Sequence, residues 1–414
     1  MLFRSDEIIG SEGTTTPDVL TDNPTYNPAS NAELENSETI QNLRIYLGKN
    51  VDNGKEIYFD PNIATPKKLA NQHLLIVGKS GAGKSQTTSA VLFEMNRQNI
   101  PFLILDFQGE YIADSLTNGN GLTFLESTKS NVLDPSMGME INPLEVSIDT
   151  FTGQKQKFMN NVYQVASTLK QIFDLGDIQN AVLTDAIKRT YIENGFIAND
   201  RTTWNNPTPP FNQILDLLEF MEKNEGGNVK NLKYRIRPLF ENDVFINGGT
   251  SSSIDILLKH NTIIRLATLP TVELMKTIAR FTLQSIYNRM LAEGPSKNIK
   301  LFVVIDEAHK LSYDQTLTAL IREARKYGIG FLLASQSVRD FASVVFENMG
   351  TKIALQLEGD DGKYMAENFG STDKPTKDAV LKLLPNQQPL RALLRNNHFE
   401  PFIQVDIEAF YLKK

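Results

Sequence analysis

The run His73-Leu74-Leu75-Ile76-Val77-Gly78-Lys79-Ser80-Gly81-Ala82-Gly83-Lys84-Ser85-Gln86-Thr87-Thr88 decides how the rest of the chain is read. An apolar strand segment leads into a glycine-rich turn, and a helix starts at its end. The turn fits G-x-x-x-x-G-K-[ST], the phosphate-binding P-loop, with a strand and a helix on the sides where that motif needs them. Gly78, Gly81 and Gly83 allow backbone conformations that a side chain would forbid, and let the chain approach phosphate closely. The freed N–H groups lie at a helix start, where unpaired donors and the dipole favour an anion. Gly78, Lys79, Ser80, Gly81, Ala82, Gly83, Lys84, Ser85 and Gln86 are therefore the candidate nucleotide contacts. Lys84 reaches toward the β- and γ-phosphates, and the Ser85 hydroxyl is a candidate Mg²⁺ ligand.

Composition narrows the surroundings of that motif. A chain of 414 residues with 41% hydrophobic and 22% charged residues is ordinary for a globular protein and allows two or three domains. It has no cysteine and only four scattered histidines (His73, His260, His309, His398), which argues against disulfides and zinc. No apolar run approaches bilayer length, and Met1-Leu2-Phe3-Arg4-Ser5-Asp6-Glu7 lacks the form of a signal peptide, so the expectation is a cytoplasmic protein without a membrane partner. A net charge of −7 argues against coating nucleic acid through bulk charge, and leaves room for a locally basic channel in an assembly.

In chain order, residues 1–40 are rich in Ser, Thr, Asn, Pro and acids and read as a disordered or draped arm. Residues 44–49 and 56–59 flank the turn Asp52-Asn53-Gly54 and read as a hairpin. The P-loop strand, its helix and the strand Pro101-Phe102-Leu103-Ile104-Leu105-Asp106 make a βαβ unit, hence a parallel sheet. Short strand-like pieces follow over residues 119–145. Residues 150–250 read as a helical insertion, with Phe158, Val162, Val165 and Leu169 at helical spacing, then Ile214, Leu217, Leu218 and Met221. Residues 251–414 return to strands, a helix continuing over 321–327, and closing strands at 390–394 and 402–411. The fold class is α/β: a mostly parallel sheet flanked by helices, interrupted by the insertion, with residues 41–149 and 251–414 forming its two parts.

Leu301-Phe302-Val303-Val304-Ile305-Asp306-Glu307 is an apolar strand ending in two acids, the Walker B pattern. Asp306 is the candidate Mg²⁺ partner, and Glu307 the group that orients and deprotonates an attacking water. Gln336, at the end of the strand Gly330-Phe331-Leu332-Leu333-Ala334-Ser335, either bonds phosphate or water or is a solvated strand end. Asp106 lies near the water or metal, or is merely solvated. Arg322, Arg325 and Lys326 form a surface helix face or supply an arginine finger to a neighbouring copy. Lys230, Lys233, Arg235 and Arg237 read first as a solvated helix face, with pore contacts to nucleic acid as the alternative.

Several blocks together resemble the HerA branch of the FtsK/HerA pumping ATPases. They are Asn71-Gln72-His73, Leu105-Asp106-Phe107-Gln108-Gly109-Glu110-Tyr111, Ile305-Asp306-Glu307-Ala308-His309, Arg322-Glu323-Ala324-Arg325-Lys326-Tyr327-Gly328-Ile329-Gly330 and Ala334-Ser335-Gln336. The resemblance implies a RecA-like core in a homo-oligomeric ring, usually a hexamer, with ATP and Mg²⁺ at subunit interfaces. It further implies double-stranded DNA as the cargo, and a nuclease or other effector as partner in DNA processing or anti-phage defence. By matching position Lys84 and Glu307 act in hydrolysis, Arg325 is the finger acting in trans and Gln336 the sensor. Two departures stand out: only an arm and a hairpin precede the core where such chains carry a β-barrel, and Gln72 stands where relatives often have a basic residue. A non-motor nucleotide switch that licenses an effector, and a conjugation or packaging ATPase, are the competing readings.

Overall fold

The computed structural model describes residues 43–414 apart from 63–67, 150–151, 225–228, 247–250, 312–314, 340 and 370–372. The arm expected over residues 1–40 lies outside the described residues. The strands are β1 (Ile45–Asn50), β2 (Glu56–Phe59), β3 (Leu74–Val77), β4 (Phe102–Asp106), β5 (Asn131–Leu133), β6 (Thr262–Arg265), β7 (Leu301–Ile305), β8 (Ile329–Ser335), β9 (Thr351–Ala354), β10 (Arg391–Asn396) and β11 (Phe399–Ile407). The helices are α1 (Lys84–Arg97), α2 (Phe124–Thr128), α3 (Phe158–Phe173), α4 (Asp177–Glu193), α5 (Gln213–Asn224), α6 (Val229–Glu241), α7 (Ser251–Lys259), α8 (Val272–Glu293), α9 (Gln315–Glu323), α10 (Ser343–Glu347), α11 (Gly359–Asn368) and α12 (Lys374–Leu383).

These strands form one sheet in the order β2-β1-β11-β10-β9-β3-β8-β7-β4-β6-β5. From β9 to β5 the pairings are parallel. The terminal strands β10, β11, β1 and β2 extend the sheet antiparallel. Every residue of β3, β4, β7, β8 and β9 is buried, as expected of parallel strands covered on both faces. Alternate residues feed two cores. Leu74, Ile76, Ile104 and Val304 pack with Val91, Leu92 and Met95 of α1. Leu75, Val77, Leu105 and Ile305 face the side covered by α3, α8 and α9.

The hairpin is present as β1 and β2. The helical spacings in residues 150–250 fall on α3 and α5, where Phe158, Val162, Val165 and Leu169, then Ile214, Leu217, Leu218 and Met221, are buried. Four details differ from expectation. β3 and β4 are parallel, but β8 and β7 lie between them. Residues 119–145 hold only the short strand β5, together with α2, which a Thr123–Glu126 capping box starts. α9 stops at Glu323 and tightens into a 3₁₀ turn over Ala324–Tyr327, ended by left-handed Gly328 (φ 77°). A Cβ on Gly328 would sit 2.1 Å from the Asn298 carbonyl, so the chain can turn there only with glycine. Finally, Tyr411 lies in a 3₁₀ turn, Phe410–Leu412, beyond the last strand. Among the described residues no helix is long and apolar enough to cross a membrane.

Candidate nucleotide site

The insertion of β8 between β3 and β7 assembles the site. It brings the P-loop after β3, Gln336 after β8 and the acid pair after β7 to one end of adjacent parallel strands, where open α/β sheets hold ligands. The loop is tethered to both flanking strands: Gly78 N–H donates to the Ser335 carbonyl at 3.3 Å and Lys79 N–H to the Gln356 carbonyl at 2.8 Å. A Cβ on Gly78 would meet Leu355 Cβ at 2.8 Å. Gly83 (φ 101°) starts α1, and no side chain caps this helix, so its first N–H groups are left to the loop and to whatever the loop holds. Ser80 and Gly81 form the exposed tip. The Gln86 side chain accepts from Tyr411 N–H at 3.2 Å and is turned toward the C-terminal segment.

Lys84 Nζ donates to the Lys79 carbonyl at 3.4 Å, while Lys79 itself is ion-paired with Glu358. Burial pulls the Lys84 ammonium below its ordinary value, and Glu307, Asp306 and Glu110 pull it back. The Ser85 hydroxyl donates to Glu110. Asp306 and Glu307 are both buried. Burial, then the nearby Glu110, Asp106 and Glu307 carboxylates, push Asp306 well above the usual carboxylate range. Its Oδ2 is buried with no hydrogen-bond partner. A divalent cation beside Asp306 and Ser85 would satisfy that oxygen and offset the crowded negative charge, and these hard oxygen donors suit Mg²⁺ completed by phosphate and water. Among the described residues no three His, Asp or Glu side chains could chelate a metal by themselves.

Glu307 has left-handed backbone (φ 52°), rare outside glycine. Its carboxylate has close neighbours at both oxygens, with two amides bonded to one of them. Gln336 Nε2 donates to Oε1 at 2.6 Å, Gln108 Nε2 donates to the same oxygen, and His309 Nδ1 lies 3.0 Å from Oε2. Burial pushes Glu307 up, but the His309 and Gln336 hydrogen bonds and the charges of His309 and Lys84 outweigh it, so the net direction is down. Gln336, exposed as a residue, therefore reaches the acid with its amide.

Asp106 corrects one of its two sequence readings, and its charge is felt by Asp306, as the other expected. It is wholly buried, so it is no solvated strand end. Its carboxylate is spent on backbone, accepting from the N–H groups of Gly109 (2.7 Å), Gln108 (3.2 Å), Glu110 (3.3 Å) and Tyr111 (3.3 Å). Burial still raises its pKa, against those four bonds. The turn it builds carries Gln108 and Glu110, which sequence reasoning passed over as site residues together with His309. The available signal was Asp106 three residues before Gly109, an Asx-type turn signature that aims the intervening side chains.

Arg325 does not join its own chain's site. It is exposed in the turn before β8, and its guanidinium donates to the Ala70 carbonyl. β8 has seven residues, so roughly 20 Å separates Arg325 from Gln336 at the strand's other end. Gln72 lies at that same distant end, buried, donating to the Ile329 carbonyl at 3.0 Å. Arg322 is exposed at the end of α9. Three of the four candidate cations of α6, all but Lys230, are engaged within the protein. Lys233 pairs with Glu222 at 2.7 Å and Arg237 with Glu241 at 2.6 Å, while Arg235 donates to the Phe173 carbonyl at 3.1 Å.

Comparison with known proteins fits this geometry. The chain is 26% identical over 369 residues to the DNA double-strand break repair helicase HerA of Sulfurisphaera tokodaii, covering 85% of this chain and 66% of that one. It is 23% identical over 378 residues to the protein of the same name from Sulfolobus acidocaldarius, covering 86% and 68%. It thus spans about two thirds of the length of the curated relatives it matches. In fold it is similar to VirB4 of Thermoanaerobacter pseudethanolicus (TM-score 0.66, 19% identity, 88% of this chain and 96% of that one). The plasmid coupling protein TrwB, solved with ADP and Mg²⁺, shares the fold less closely (TM-score 0.52, 16% identity, 83% and 85%). Residues 45–286 match the family described as helicase HerA, central domain (DUF87), more than half of the chain. With a P-loop and an acid pair at one end of a mostly parallel sheet, and a family match over more than half of its length, the chain is a P-loop ATPase that belongs to the HerA helicase family.

Proposed function

We propose that this chain is the ATP-hydrolysing subunit of a ring that pumps double-stranded DNA, with each ATP split at the junction of two copies. The observation that carries the reading is the division of labour along β8. The phosphate loop, acid pair and Gln336 sit at its carboxyl end, while Arg325 lies exposed beyond its amino end. A second copy stacked head to tail would bring Arg325 to the first copy's phosphates. In that site the α1 N–H groups and Lys84 hold the triphosphate. Glu307 takes a proton from water as the water oxygen bonds the γ-phosphorus, and the bond from that phosphorus to the β–γ bridging oxygen breaks, releasing ADP and phosphate. Mg²⁺, when bound, would be held by Ser85 and Asp306 and would neutralise phosphate charge. The relatives named as break-repair helicases support DNA as the cargo; a nuclease or other effector as working partner is the part of the reading that rests on the sequence resemblance alone.

The test pairs Glu307→Gln with a DNA assay. The variant is expected to bind ATP with unchanged affinity and to lose turnover by about 10²–10⁴-fold. The wild type is expected to displace a triplex-forming strand from duplex DNA only with ATP, as a particle whose native mass is a multiple of the monomer. Near-normal turnover in Glu307→Gln would remove its role as base. An ATPase indifferent to DNA, with no strand displaced, would favour a nucleotide switch over a motor.

A further inference from the structure

We propose that Gln108 is a positioning residue for the hydrolytic carboxylate, holding Glu307 from a turn that is also fixed to the P-loop. The inference rests on the reading of Glu307 given above. Two amides converge on Glu307 Oε1, one from Gln336 at the end of β8 and one from Gln108 beyond the end of β4. They approach from strands on opposite sides of β7, so together they fix the carboxylate across the width of the site. Such bracing suits a residue with left-handed backbone, a conformation that persists where the surroundings over-determine it.

The turn that presents Gln108 is built to stay in place. Asp106 accepts four of its backbone N–H groups, and Gly109 (φ 76°) supplies the left-handed step. Tyr111, fully buried, stacks edge-on against Phe124 at 5.7 Å. Two residues past Gln108, Glu110 accepts the Ser85 hydroxyl and ties the turn to the P-loop. By contrast Gln108 as a whole is exposed, with only its amide reaching the buried acid. Core packing does not require a glutamine there, and its donor capacity is what the site uses. The neighbours that also face Glu307 are His309, Lys84 and Asp306.

The experiment compares Gln108→Ala with the isosteric Gln108→Glu in the full chain, measuring kcat, KM, the affinity for a non-hydrolysable ATP analogue by calorimetry, and Tm. Loss of one hydrogen bond to a charged group predicts a fall in kcat of about 10–100-fold for Gln108→Ala, with KM, analogue affinity and Tm unchanged. Gln108→Glu keeps the shape but sets a carboxylate against Glu307, so it is expected to lose at least as much. Combined with Gln336→Ala, Gln108→Ala should lose less than the product of the two single effects, since both donors serve one oxygen. Wild-type kcat in Gln108→Ala, or a Gln108→Glu variant as active as the wild type, would overturn the assignment. So would an analogue affinity that weakens in step with kcat. If Glu307→Gln remains active, the reading of Glu307 has failed instead; if Glu307→Gln is inert and Gln108→Ala is normal, only the role of Gln108 falls.

Discussion

The two ends of the same parallel strands are electrostatic opposites. At the carboxyl end, burial and mutual repulsion hold Asp306 well above the carboxylate range and burial raises Asp106, while His309, Gln336 and Lys84 hold Glu307 down. At the amino end, burial pulls His73 down to about 4, and pulls Lys352 down to about 8, so that end resists positive charge. Its cations stand outside the core instead, as Arg322, Arg325 and Lys326. The difference teaches that the crowded carboxylates are what a bound cation can relieve, whereas burial at the amino end disfavours further positive charge. His73 accepts from Phe331 N–H at 3.1 Å and helps to tie β3 to β8. On the proposed reading, one end receives the nucleotide and the other presents Arg325 to a neighbouring copy.

The sharpest way to break that contrast is Arg325→Ala. As a finger acting in trans it should lower turnover by about 10³–10⁵-fold while leaving nucleotide binding intact. Mixed with Glu307→Gln subunits it should recover part of the activity, because some junctions then pair an intact acid with an intact arginine. A mixed population as inactive as its components would make the amino end merely a surface.

Much of this contrast was legible in the sequence, and what was missed has a physical cause. β3 and β7 announce themselves as apolar runs ending in glycines or acids, so Lys84, Ser85, Asp306 and Glu307 could be named from local pattern alone. The strand order could not. β8 inserts between β3 and β7 through crossovers that no local spacing reports, and that insertion turns Gln336 toward Glu307. The solvated alternative for Asp106 stayed open because a charged strand end looks solvated until its four backbone donors are counted. Gln108 and Glu110 were hidden for the same reason, since a turn's side chains point where its hydrogen bonds aim them.

A second prediction concerns His73. Its folded pKa, about 4, lies below its ordinary 6.5, so the unfolded chain binds the extra proton between those values. This contribution to stability is full above pH 6.5 and is lost as pH falls toward 4, amounting to roughly 3 kcal/mol. Urea unfolding from pH 7 to 4 should show it as a steeper acid loss in the wild type than in His73→Gln. Parallel pH profiles would mean that His73 is not held neutral.

The carboxyl end predicts the opposite sign on a smaller scale. Asp306 has a raised folded pKa, so its contribution is present below the ordinary carboxylate value and is lost as pH rises through the folded one. Asp306→Asn removes the penalty. In metal-free protein it should raise Tm by about 1–3 °C at pH 8 and not at pH 4, although ATP turnover is lost. Mg²⁺ with ADP should likewise raise the wild-type Tm more at pH 8 than at pH 5.5. A variant that is destabilised at pH 8 would show that Asp306 is a structural acid, and the crowding assigned to this end would vanish.

The smallest effect tests whether the contrast is confined to the strand ends. In α6, Lys233 lies between Glu219 and Glu222, at 3.6 and 2.7 Å, and Arg237 has Glu241 one turn away. A cation spent on acids of its own helical block has little left for a phosphate, and such exposed pairs add little to stability. Lys233→Ala and Arg237→Ala should therefore move Tm by no more than about 2 °C. They should also leave the salt dependence of DNA binding unchanged, whereas a true phosphate contact would lower its log–log slope by about one per cation removed. A slope reduced in either variant would place a nucleic-acid contact on the helical block, and the pairing seen in α6 would then have to be what DNA displaces.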